Sequence, residues 1–131
     1  MNQTKKQILL LFTSILLINM VYAQAATWTA IQQKIDAKPY AGKHLKLTAA
    51  VRAETETGMA MLIVRVDKKD KKMGFFNNMQ DRPIQSSEWK TYSIEGKIDE
   101  EADSLFFGAI CVNNGSFYFD NFIFRIETGS G

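Results

Sequence analysis

The chain has 131 residues, with 16 Lys and Arg against 14 Asp and Glu, one histidine and one cysteine. That length supports one domain with one core, and a lone cysteine excludes an intramolecular disulfide. A net charge of +2 gives no support to nucleic-acid binding.

The first element is a targeting segment. Lys5 and Lys6 precede an apolar run from Ile8 to Ile18, broken only by Thr13 and Ser14. Val21-Tyr22-Ala23, or Ala23-Gln24-Ala25, then places small residues where a signal peptidase reads. This order predicts a signal peptide over residues 1–25 and export to the periplasm or beyond. The run falls short of the roughly 20 apolar residues of a spanning helix, so no stable membrane insertion is expected after cleavage. With Lys5 and Lys6 removed, 14 cations remain against 14 acids.

Residues 26–128 are expected to form one β-domain, because the dominant hydrophobic period is two. Thr27 to Tyr40 fits either a short helix, on Trp28, Ile31 and Ile35, or an edge strand; the strand is preferred, and Pro39 ends both. Leu45, Leu47, Ala49 and Val51 alternate with Lys46, Thr48 and Arg52, a strand with one wet face. Met59 to Val66 is apolar on both faces, as in a central strand. Asp67-Lys68-Lys69-Asp70 turns it into Met73 to Phe76, so the pair reads as a hairpin. Lys68, Lys69, Lys71 and Lys72 are read as a solvated turn.

Trp89 to Ile98 alternates again, and Trp89 and Tyr92 are expected to anchor its core side. After the acidic stretch Glu100 to Asp103, Ser104 to Val112 reads as a second central strand. Asn113-Asn114-Gly115-Ser116 accepts the positive φ that tight hairpin turns need. The last strand, Phe117 to Ile126, is expected to put Tyr118, Asp120, Phe122, Phe124 and Ile126 on the core face. Regularly spaced strands with turn signals between them indicate a β-sandwich or barrel.

Ordered pieces of the chain resemble a known architecture. They are Pro39-Tyr40-Ala41-Gly42-Lys43, the strand Leu45 to Glu54, Met61-Leu62-Ile63-Val64-Arg65-Val66-Asp67, and Trp89-Lys90-Thr91-Tyr92. The octet Asn77-Asn78-Met79-Gln80-Asp81-Arg82-Pro83-Ile84 and the terminal Tyr118-Phe119-Asp120-Asn121-Phe122 complete the set. From about Ile35 to Ile126 the chain resembles galactose-binding-like jelly-roll domains, the architecture of many carbohydrate-binding modules. The octet is its most specific piece, resembling the connector of one bacterial subgroup.

The resemblance implies an all-β antiparallel sandwich of jelly-roll type and an exported, non-catalytic module that binds carbohydrate. It also leaves room for an accessory domain that pairs with another protein through an open sheet edge, because the upstream strands of fuller relatives have no counterpart here. Asp120 takes the place of an acid that holds structural calcium in many such modules. Calcium takes six to eight oxygens and the upstream donors have no counterpart, so no metal or other cofactor is expected.

No catalytic set is visible. His44 would have to serve any Ser-His-Asp or Cys-His arrangement, and nothing near it in sequence supports that role. Cys111 lies in an apolar strand and reads as a small buried residue. Sugar sites need rings for stacking and planar groups for hydroxyls. The densest planar polar group is Asn78, Gln80, Asp81 and Arg82, with Trp89 as the stacking candidate should it prove exposed. Asp81 and Arg82 also fit a salt-bridged turn stiffened by Pro83.

Overall fold

The computed structural model describes Val21–Gln24 and residues 28–127. Eight strands form two four-stranded antiparallel sheets. They are β1 (Val21–Gln24), β2 (Trp28–Asp36), β3 (His44–Glu54), β4 (Met59–Lys68), β5 (Met73–Asn77), β6 (Lys90–Lys97), β7 (Ala102–Val112) and β8 (Ser116–Glu127). The first sheet runs β1-β8-β3-β6 and the second β2-β7-β4-β5. The chain is thus an all-β sandwich, with β2 as an edge strand, as preferred from its sequence, and β4 and β7 central, as their apolar character on both faces predicts. Of the expected signal peptide, Val21–Gln24 is described, paired as β1 with the start of β8; residues 1–20 lie outside the described residues.

Period-two alternation builds the core. In β3 Leu45, Leu47, Ala49, Val51 and Ala53 are buried while the residues between them are not. Leu62 and Val64 of β4 and Leu105, Phe107 and Cys111 of β7 meet them from the second sheet. Phe107 stacks on Phe124 of β8, with ring centroids 4.2 Å apart and planes 8° from parallel. One offset aromatic pair therefore joins the two layers, and such pairs add roughly 0.5–1.5 kcal/mol beyond burial. On the β5–β6 side the Phe75 ring lies over Gly96, where any Cβ would collide with it.

Two expectations fail. The turn at Asn113 to Ser116 has the predicted positive φ at Asn113 (64°) but makes no hairpin. It carries the chain from β7 in one sheet to β8 in the other. The faces of β8 are also not those of simple alternation. Thr48 pairs with Ile123, whereas Ala50 pairs with Asp120, so the ladder slips at Asn121, whose φ is +56°. A bulge adds a residue and reverses side-chain parity. Phe117 and Phe119 point inward before it, Phe122 and Phe124 after it. Tyr118 and Asp120 are therefore on the outward face, not in the core.

Candidate functional site

The octet folds as a clasp. β5 ends at Asn77 while β4 runs on unpaired past it, and the octet takes over that edge. Ile84 exchanges both backbone hydrogen bonds with Ala60, at 2.9 and 2.8 Å. Met79 is fully buried at φ +58°, and its Sδ accepts the Leu62 N–H at 3.4 Å. Asn77 Oδ1 accepts the Met79 N–H, and Asn78 Oδ1 accepts the Gln80 N–H, the local bonding that makes Asn a turn former.

These contacts locate the sequence-predicted polar residues. Gln80 is exposed. Asp81 is largely exposed, with a loose 3.9 Å ion pair to Arg82. Arg82 Nη2 donates to the Ser93 carbonyl of β6 at 3.2 Å. Asn78 and Arg82 thus have structural partners, and Arg82 ties the octet to β6.

Trp89 is elsewhere, and its expected place in the core is overturned: it is 44% exposed. The preceding loop crosses the end of β3, with the Ala53 N–H donating to the Ser86 carbonyl at 2.8 Å and the Glu88 N–H to Ser86 Oγ at 3.1 Å. This swings the indole onto the outward face of the first sheet, where Arg52 meets it. The Arg52 guanidinium carbon is 4.1 Å from the Tyr118 ring centroid and 5.7 Å from that of Trp89. Arg52 Nη1 also donates to Glu54 Oε2 at 2.7 Å. A cation fixed against rings on two sides, with a carboxylate holding one edge, is a preorganised planar donor.

The next row supplies the floor. Ala50 pairs with Thr91 on one side and Asp120 on the other. Its small side chain lies between Thr91 and Asp120, whose Oδ1 accepts the Asn121 N–H at 2.8 Å. Beyond Glu54 lies a depression lined by Thr55, Glu56, Thr57, Asn114 and Gly115. Its rim is laced by Thr55, whose Oγ1 donates to the Asn114 carbonyl and accepts the Gly58 N–H. Sequence reasoning missed Arg52 and placed Tyr118 in the core. Arg52 was one cation on a wet face, and Tyr118 was hidden by the bulge.

No group of three or more His, Cys, Asp or Glu that could hold a metal occurs among the described residues. His44 is exposed at the start of β3. Cys111 is buried, and burial pushes its thiol up to about 12.

The architecture recurs in solved structures. A family 16 carbohydrate-binding module has a TM-score of 0.60 at 17% identity, covering 79% of this chain and 73% of that one. A family 4 module gives 0.56 at 18%, covering 81% and 71%. The xylan-binding CBM22-1 domain of Paenibacillus barcinonensis Xyn10C gives 0.53 at 5%, covering 86% and 90%. The fold is that of carbohydrate-binding modules. No family model matches the chain. A curated relative, the uncharacterized HTH-type transcriptional regulator YbfP of Bacillus subtilis, is 28% identical over 99 residues. That match covers 75% of this chain, which spans 34% of the regulator's length. No helix among the described residues is long and apolar enough to cross a membrane.

Proposed function

We propose that the chain is an exported, non-catalytic module that binds carbohydrate on the outward face of its first sheet. The observation that carries this reading is Arg52 clamped between Tyr118 and an exposed Trp89. Pyranose rings present an apolar face that stacks on an indole, and their hydroxyls need planar donors and acceptors. Trp89 supplies the first, Arg52 and Asp120 supply the second, and the Thr91 hydroxyl adds a further donor and acceptor. The solved modules of like fold support the same ligand class.

Asn78, Gln80, Asp81 and Arg82 serve in this reading as the clasp that seats Met79, and any contact they make with a glycan is at its margin. Export follows from the order of charge, apolar run and small residues in Met1 to Ala25.

The test is a glycan array with wild type, Trp89→Ala, and an Asp81→Ala/Arg82→Ala pair, each checked for folding by circular dichroism. Wild type should bind and folded Trp89→Ala should not. Folded wild type that binds no glycan defeats the proposal. Loss in the octet pair with retention in Trp89→Ala would move the site to the β6 edge.

A further inference from the structure

Three of the four exposed large hydrophobic side chains among the described residues lie on one surface, the outward face of the second sheet. They are Trp28 at 64% exposure, Met73 at 55% and Phe76 at 42%. Strand register shows what lies between them. Trp28 is level with Val112 and Met59, and Ala30 is level with Ile110 and Met61. Two rows further on, Lys34, Phe106, Arg65 and Phe76 are level, and beyond them Asp36, Ser104, Asp67 and Met73. One end of the face is apolar and the other carries two cations and two acids.

We propose that this face is covered in solution by the same face of a second copy of the chain, giving a back-to-back dimer of two sandwiches. Its first support is area. Three strands about 4.8 Å apart over nine residues at about 3.3 Å each, with the five residues of β5 along one end, give a face of roughly 500 Å². Two copies would bury about 1,000 Å² before side-chain relief is counted, the area at which a biological interface is expected.

The second support is self-complementarity, which an isologous contact requires. A two-fold axis along the strands, between β7 and β4, lays β7 over the partner's β4 and the Lys34 to Asp36 end of β2 over the partner's β5. Apolar rows then meet apolar rows, with Val112 against the partner's Met59 and Ile110 against the partner's Met61. In the charged rows Lys34 meets the partner's Phe76, and Arg65 meets the partner's Phe106. Each copy already holds this chemistry internally: Arg65 lies 4.5 Å and Lys34 5.6 Å from the Phe106 centroid. Arg65 Nη2 is also paired with Asp67 at 3.0 Å, so its charge is not buried alone. Lys34 and Arg65 balance Asp36 and Asp67, so two copies meet without net repulsion.

The same features disfavour a sugar here. Gln32 and the Trp28 indole N–H are the only hydrogen-bonding side-chain groups in the first three rows, both on the edge strand β2, and hydroxyls laid on Met59, Ile110 and Val112 would lose their water partners without replacement. The dimer is independent of the glycan reading and leaves both first sheets facing outward.

Sedimentation equilibrium of the protein purified from an exporting host tests this. Wild type should populate a dimer at roughly 100 µM, a concentration at which a contact of this size is expected to form. Trp28→Lys/Phe76→Lys changes two exposed side chains, so the monomer keeps its melting temperature while dimerisation weakens about tenfold or more. Glu95→Lys, on the outward face of the first sheet, should leave the dimer intact. A monomeric wild type overturns the proposal. So does a dimer that survives the double substitution, or one lost with Glu95→Lys.

Discussion

On the outward face of the first sheet, Arg52 lies between Tyr118 and Trp89, among Thr48, Thr91, Asp120 and the Lys46–Glu95 ion pair. On the outward face of the second, the same alternation brings up Met59, Ile110 and Val112 instead. Both faces rest on one core, so packing does not dictate the difference. Residues between the buried positions are free to vary, and each face shows what it meets. Polar groups around a fixed cation suit a hydrated ligand. Thioethers and aliphatics without hydrogen-bonding neighbours suit a dry contact.

The largest effect comes from the layer that both faces share. Phe124→Ala removes one ring of the stack with Phe107 and should cost about 3–5 kcal/mol in chemical denaturation. A loss below about 1 kcal/mol would mean that the two sheets are not held by one core.

The clasp comes next. Met79→Ala should cost about 2–5 kcal/mol through the cavity it leaves. Met79→Leu keeps most of the volume but orphans the Leu62 N–H, at about 1–3 kcal/mol. No loss in Met79→Leu would show that the sulfur acceptor contributes nothing.

Trp89→Ala separates binding from folding. The indole is exposed, so stability should fall by about 1 kcal/mol or less, the range of an exposed cation–π contact. Isothermal titration with a bound glycan should show affinity lost. A large stability loss instead would return Trp89 to a packing role.

Smaller still, Asp81→Ala should change stability by no more than about 0.5 kcal/mol, since its ion pair is exposed.

The smallest effect is a pH dependence at the end of β2. The Lys38 backbone N–H, and then the Lys38 ammonium, hold Asp36 below its ordinary 3.8. A carboxylate with a depressed folded-state pKa contributes stability above its ordinary value and loses it as pH falls through the folded one. Asp36→Asn should therefore flatten the acid limb of a melting-temperature profile slightly below pH 4. A limb unchanged by Asp36→Asn would mean that these bonds are not kept in solution.

The fold was legible because its signals are local. Alternation in β3, the two-sided apolar β4 and β7, and the Asn-Gly turn each follow from residues near one another. What failed depended on register. One residue inserted at Asn121 moved Tyr118 and Asp120 from core to surface, and no periodicity count registers a single slip. The turn at Asn113 has hairpin chemistry, yet only the packing of two sheets decides which strand follows. The site was half legible for the same reason. Trp89 was named for stacking, but its partner Arg52 is 37 residues away on another strand, joined to it by a loop crossing. In the octet the polar side chains drew attention, while the buried Met79 anchors it.

Cys111 adds a different use. Its register partners are Thr29 and Ala60 on the flanking strands, and burial holds its thiol near 12. At neutral pH the folded protein therefore presents almost no thiolate for an oxidant to attack. Reagent reaches the sulfur only when the sandwich opens. With one cysteine in the chain, the rate of its alkylation counts those openings molecule by molecule, a built-in clock for the rarest excursions of the native state.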